Sequence, residues 1–87
     1  MITNVESLAP AHVVGEILVA AIHNIAEQNI DGHDLTAARN RLDGNLSAIV
    51  RSAKTYAESV KDGKTDEEAK RDAAIAVVNN YRLQHNL

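Results

Sequence analysis

Apolar residues between positions 34 and 61 recur at helical spacing. Turned by about 100° per residue from Leu35, the side chains of Leu42, Leu46, Ile49, Ala53, Ala57 and Val60 share one stripe. Ala38 and Tyr56 flank the stripe on one side and Val50 on the other, while Gly44, Ser47, Arg51, Lys54 and Glu58 lie opposite. The pattern predicts one amphipathic helix of about seven turns, organising the chain from residue 34 to 61. Asp34 suits its N-cap, because a short carboxylate accepts from the free N–H groups of a first turn. Asp62-Gly63 supplies the residue type that ends helices. Gly44 costs roughly 1 kcal/mol relative to alanine in a helix interior, so a bend or a close contact is expected there.

The flanking segments are shaped to pack on this helix. From Pro10, which suits a first helical turn, to about residue 29, Val14, Ile17, Leu18, Ala21, Ile22 and Ile25 make a broad apolar face. Val19 and Ala26 widen it beyond what one partner covers, which predicts a helix buried on two sides. His12, Glu16, His23 and Glu27 form the narrow polar strip behind it. Asn29 to His33, with Asp31-Gly32, reads as a tight connection between antiparallel neighbours. After Asp62-Gly63-Lys64, Thr65 and Glu68 spell a capping box, with Asp66 and Glu67 at the positive end of the helix dipole. The third helix, residues 66–83, carries Ala69, Ala73, Ala76 and Leu83 on one face, with Ile75 and Val78 pointing elsewhere and Val77 and Tyr81 between. Residues 1–8 lack periodicity and are expected to form a flexible arm, and the last residues, from Gln84 on, are expected to fray. The predicted fold is a single all-α domain, a three-helix antiparallel bundle of residues 9–29, 34–61 and 66–83.

Composition adds that the core is thin. In 87 residues there is no Phe or Trp and only two Tyr, and much of the apolar fraction is alanine. A single small core yields only a few kcal/mol of net stability, so homo-oligomerisation is expected. The absence of cysteine excludes disulfides and thiolate metal sites. No apolar run approaches the roughly 20 residues of a bilayer span, so a soluble cytoplasmic protein is the simplest expectation. A formal charge of −3 argues against general nucleic-acid binding, where phosphate contacts dominate affinity.

Catalytic and metal chemistry finds little support. His12/Glu16 and His23/Glu27 are each four apart, a spacing that matches neither a zinc-protease nor a di-iron motif and is accounted for by solvated i,i+4 pairs. Gly63-Lys64-Thr65 resembles the end of a phosphate loop but lacks the earlier glycine and the preceding strand. Ser47, Ser52 and Ser59 have no evident base beside them. The expectation is a non-enzymatic protein with no cofactor and no metal. Arg39, Arg41, Arg51 and Lys54 place four cations between residues 34 and 61. They read first as a solvated face, and second as an anion site at a subunit seam, with Arg39 nearest the apolar stripe and Tyr56 or Tyr81 available to stack on a base.

Residues 31–51 read DGHDLTAARNRLDGNLSAIVR. This stretch, about a quarter of the chain, resembles the second part of the helical hairpin in phage anti-CBASS cyclic-nucleotide sponge proteins. That hairpin has an aspartate near the turn, then leucine, Ala-Arg, leucine with an acidic or amide neighbour, and a leucine-valine-arginine-like end. The matching residues are Asp31, Leu35, Ala38, Arg39, Leu42, Asp43, Ile49, Val50 and Arg51. The third helix is longer than the hairpin needs, and aromatic residues are fewer than purine binding favours. The resemblance implies an all-helical oligomer that sequesters cyclic di- or trinucleotide messengers of bacterial immunity without catalysis, with Arg39 and Arg51 as carried-over ligand residues.

The leading expectation is therefore a small phage or mobile-element protein that binds such a messenger through Arg39, Arg51, Lys54, Tyr56 and Tyr81. The alternative is a protein-binding inhibitor or adaptor, comparable to an anti-CRISPR or a host-enzyme regulator. It would act through Glu67 and Glu68 or through an exposed face of Ile75 and Val78.

Overall fold

The computed structural model describes residues 8–84, and within them the chain is all-helical. Four α-helices follow in order: α1 (Ala11–Glu27), α2 (Leu35–Leu42), α3 (Leu46–Lys61) and α4 (Asp66–Gln84). A 3₁₀ turn, Ile30–Gly32, joins α1 to α2. The expected arm lies, but for Leu8, outside the described residues, and so does the expected fraying beyond Gln84. Leu8 itself packs on the core, and Ala9 is part of it. No helix among the described residues is long and apolar enough to cross a membrane.

The single helix expected over residues 34–61 is two helices, and Asp43-Gly44-Asn45 divides them. Asp43 has φ −63° and ψ 121°, Gly44 has φ +71°, and Asn45 N–H donates to the Leu42 carbonyl at 3.0 Å. These values define a type II β-turn with glycine at the position that needs positive φ. Asn45 then caps α3, its side-chain oxygen accepting from Ala48 N–H at 3.1 Å. A cap oxygen and a turn glycine side by side favour a helix start over a helix interior, and they outweigh the continuous apolar period.

The break also resets the phase of α3. Its buried residues are Ala48, Ser52, Ala53 and Ser59, whereas Leu46 is 70% exposed and Val60 45% exposed. The buried face is thus rotated by roughly a quarter turn from the one the sequence stripe predicts. Small side chains fill it, and α3 makes its most extensive interface with α4, whose buried set includes Ala69, Ala73 and Ala74.

The remaining ends form where local chemistry places them. Asp34 accepts from Ala37 N–H at 2.9 Å and starts α2. Gly63 N–H bonds the Val60 carbonyl and Lys64 N–H the Ser59 carbonyl, a Schellman closure that stops α3. The capping box forms reciprocally, with Glu68 N–H to Thr65 Oγ1 at 3.2 Å and Thr65 N–H to Glu68 Oε1 at 3.0 Å. α1 touches each of the other helices and presents Val13, Val14, Ile17, Ala21 and Ile25 to the core, in keeping with burial on more than one side. The helix at the centre of the packing is therefore α1, not the 34–61 segment.

Candidate functional site

Two recesses carry polar side chains that could engage a partner. The first lies on the outer face of α3, where Ser47, Val50, Arg51, Lys54, Thr55 and Glu58 border a shallow space of about 350 Å³. Positions 47, 51, 54, 55 and 58 follow one another at helical spacing, so one face gathers two cations, two hydroxyls and one carboxylate. Neither Arg51 nor Lys54 is in an ion pair among the described residues. Guanidinium, ammonium and hydroxyl groups together form a donor set suited to phosphate oxygens.

The structure joins some of the predicted ligand residues and separates others. Arg51 and Lys54 share the α3 recess. Arg39 is exposed on α2, in its last turn, and does not line that recess. Tyr56 is half-buried, and its hydroxyl donates to Asp66 Oδ1 at 2.5 Å. That bond is the main reason its ionisation is pushed up, and the same bond holds the Asp66 carboxyl below its ordinary range. Tyr81 lies in the core at 2% exposure, so its ring is not a stacking surface. Burial raises the pKa of its hydroxyl.

Tyr81 belongs to a buried polar cluster that sequence reasoning missed. His33, which the sequence places in a tight connection, is buried, and its Nδ1 shares a hydrogen bond with the Tyr81 hydroxyl. The rings meet edge to face with centroids 5.7 Å apart. Asp31 Oδ2 stands 3.6 Å from His33 Nε2. Asn29 and Asp31 adopt positive φ, which shapes the turn that turns His33 inward. No local pattern announces a contact between residues so distant in the chain.

The second recess is a groove of about 400 Å³ between α1 and α4. Buried Ile17 and Ala74 and exposed Ala20 and Ile75 give it an apolar lining, and Glu16, Asn24, Glu67, Lys70 and Arg71 form its polar edge. Lys70 bridges the helices, with Nζ 2.8 Å from Glu16 and 3.0 Å from Asp66. Hydrogen bonding to Glu16 first, and to Asp66 second, raises its pKa. Of the predicted partner-binding residues, Glu67 and Ile75 line this groove. Glu68 is exposed but committed to the capping box. Val78 is 4% exposed and forms part of the core, so Ile75 and Val78 do not make a common exposed face. The three-residue step from Ile75 turns Val78 toward the bundle interior. His12, Glu16, His23 and Glu27 are exposed along α1 as the polar strip predicts.

In comparisons with protein-family models, curated proteins and solved structures, nothing matches this chain.

Proposed function

We propose that this chain is a non-enzymatic binding protein that captures a phosphate-bearing small molecule on the outer face of α3, a cyclic oligonucleotide messenger being the ligand class that its resemblance to anti-CBASS sponges suggests. The observation that carries this reading is the shared recess of Arg51 and Lys54, cations with no ion pair among the described residues, beside the hydroxyls of Ser47 and Thr55. Arg51 would supply a planar fork for one phosphate and Lys54 a point charge for a second. With Tyr56 tied to Asp66 and Tyr81 in the core, purine contact falls to the Arg51 guanidinium plane and the Val50 side chain.

The test is thermal unfolding and calorimetric titration of the full chain against a panel of cyclic di- and trinucleotides. A ligand that binds only the folded state raises the melting temperature by mass action. The expected result is a rise of several degrees with at least one member. Arg51→Ala and Lys54→Ala should abolish it without lowering the melting temperature of the free protein. Absence of any shift across the panel overturns the reading.

A second reading, an inhibitor or adaptor that binds another protein, is favoured by one observation. Glu67 and Ile75 both line the α1/α4 groove, where an apolar lining and a charged edge meet.

A further inference from the structure

The α1/α4 groove and the exposed edge of α4 fit each other. Ile75 is 46% exposed and stands on the rim of a hole lined by two small residues, the exposed Ala20 and the buried Ala74. Along α4, Glu67, Arg71, Ile75 and Arg82 are exposed. Their successive spacings of four, four and seven residues place them along one side of the helix. This edge has an acid at the N-terminal end, an apolar knob near the middle and a base at the C-terminal end.

We propose that the groove is occupied by a second copy of this chain, docked with its α4 antiparallel to the first. In a two-fold arrangement centred between Ala74 and Ile75, each residue meets the one equally far on the other side of the centre. Ile75 of each copy then enters the hole at Ala74 and Ala20 of the other, and Glu67 of each faces the other copy's Arg82. Glu67 and Arg82 are equidistant from that centre, so both ends gain an opposite-charge pair from one symmetry operation. A parallel arrangement would instead set Glu67 on Glu67, Arg71 on Arg71 and Arg82 on Arg82. Charge thus selects the antiparallel copy, and the knob and hole set its register. Within one chain Arg82 is held only at the surface, where its guanidinium donates to Gln28 Oε1, so its charge stays available at the edge.

The reading does not depend on what binds to α3. A dimer need bind no nucleotide, and a monomer can bind one, so the two proposals fail separately.

The test is sedimentation of the full chain over a concentration series. The expected result is a monomer–dimer equilibrium with no larger species, since a two-fold interface closes on itself. Ile75→Glu should leave a monomer with unchanged helical circular dichroism, because the residue is half exposed. Ala20→Gln, which fills the hole without touching the knob, should do the same. Glu67→Arg and Arg82→Glu should each weaken the dimer by about fivefold, the scale of two exposed ion pairs lost together. The double variant Glu67→Arg/Arg82→Glu should restore the parent affinity. A chain that stays monomeric at every concentration overturns the proposal, as does binding of this groove by an unrelated protein in place of a second copy. So does a dimer indifferent to both Ile75→Glu and Ala20→Gln, or a charge swap that fails to restore what the single variants lose.

Discussion

His33 and Tyr81, 48 residues apart in the chain, share a hydrogen bond inside the bundle and so tie the loop before α2 to the last turns of α4. Both are buried, and an interior polar contact is worth more than its exposed counterpart because its groups have given up water.

Tyr81→Phe removes the hydroxyl and keeps the ring. It should cost about 1–2 kcal/mol, the scale of a buried hydrogen bond. Tyr81→Ala also empties the space of the ring and should cost about 3–5 kcal/mol. Urea unfolding of the two variants separates the contributions. A Tyr81→Phe protein as stable as the parent would show that the bond contributes nothing.

The same substitution should have opposite signs at two glycines. Gly15 lies in the interior of α1 and is exposed, and a methyl group added there meets no atom within 4 Å. Gly15→Ala should therefore stabilise by about 1 kcal/mol through helix propensity and a less disordered unfolded chain. Gly44 has equally open surroundings, but its φ of +71° belongs to the left-handed region. Gly44→Ala should destabilise by about 1–2 kcal/mol from backbone conformation alone. Denaturant midpoints of the two variants measure this, and a shared sign would refute it.

That contrast shows how the sequence could be read and where it misled. Caps are local, so Asp34, Asp62-Gly63 and the Thr65/Glu68 box mark helix ends that the structure reproduces. Gly44 was legible as a weak point in a helix, but its neighbour Asn45 was needed to read it as a turn followed by a cap. Extending the period across that turn then put Leu46 and Val60 inside, whereas the structure exposes both and buries Ala48 and Ser59. Within the candidate site, Arg51 and Lys54 are three apart on one helix, so their proximity was readable from spacing. The burial of Tyr81 was not, because it depends on His33, which arrives through a loop with three residues at positive φ, Asn29, Asp31 and Gly32.

Ile75 and Val78 are close in sequence but differ in surroundings, at 46% and 4% exposure. Val78→Ser should cost about 2–3 kcal/mol, from lost apolar burial and a hydroxyl brought into the core. Ile75→Ser, measured at a concentration low enough to keep the chain monomeric, should change stability by less than about 0.5 kcal/mol. Thermal melts of the two proteins under the same conditions decide the matter. Equal losses would mean that α4 is rotated from the orientation described.

Stability should decline at both ends of the pH scale, for reasons on α4 and its neighbours. Asp72 accepts from Lys64 Nζ at 2.6 Å and from Ser59 Oγ at 3.1 Å, and these bonds, Lys64 first, hold its carboxyl below the ordinary range. Asp66 is lowered chiefly by the Tyr56 hydroxyl, and Glu68 chiefly by the Thr65 backbone N–H. A depressed carboxylate takes up its proton more readily in the unfolded chain. Its contribution is therefore present above the ordinary carboxylate pKa of about 4 and is lost as pH falls through the lower folded value. Tyr56 and Lys64 are shifted upward by their carboxylate partners, and Tyr81 by burial, so their contributions hold below about pH 10 and fade above it. Because the three carboxylates are on the surface, added salt should flatten the acid limb. Asp72→Asn cannot take up the proton but can still accept from Ser59, so its urea midpoint should fall less steeply than the parent's below pH 4. An identical acid slope in the two proteins would mean that the Lys64–Asp72 bridge adds nothing to the fold.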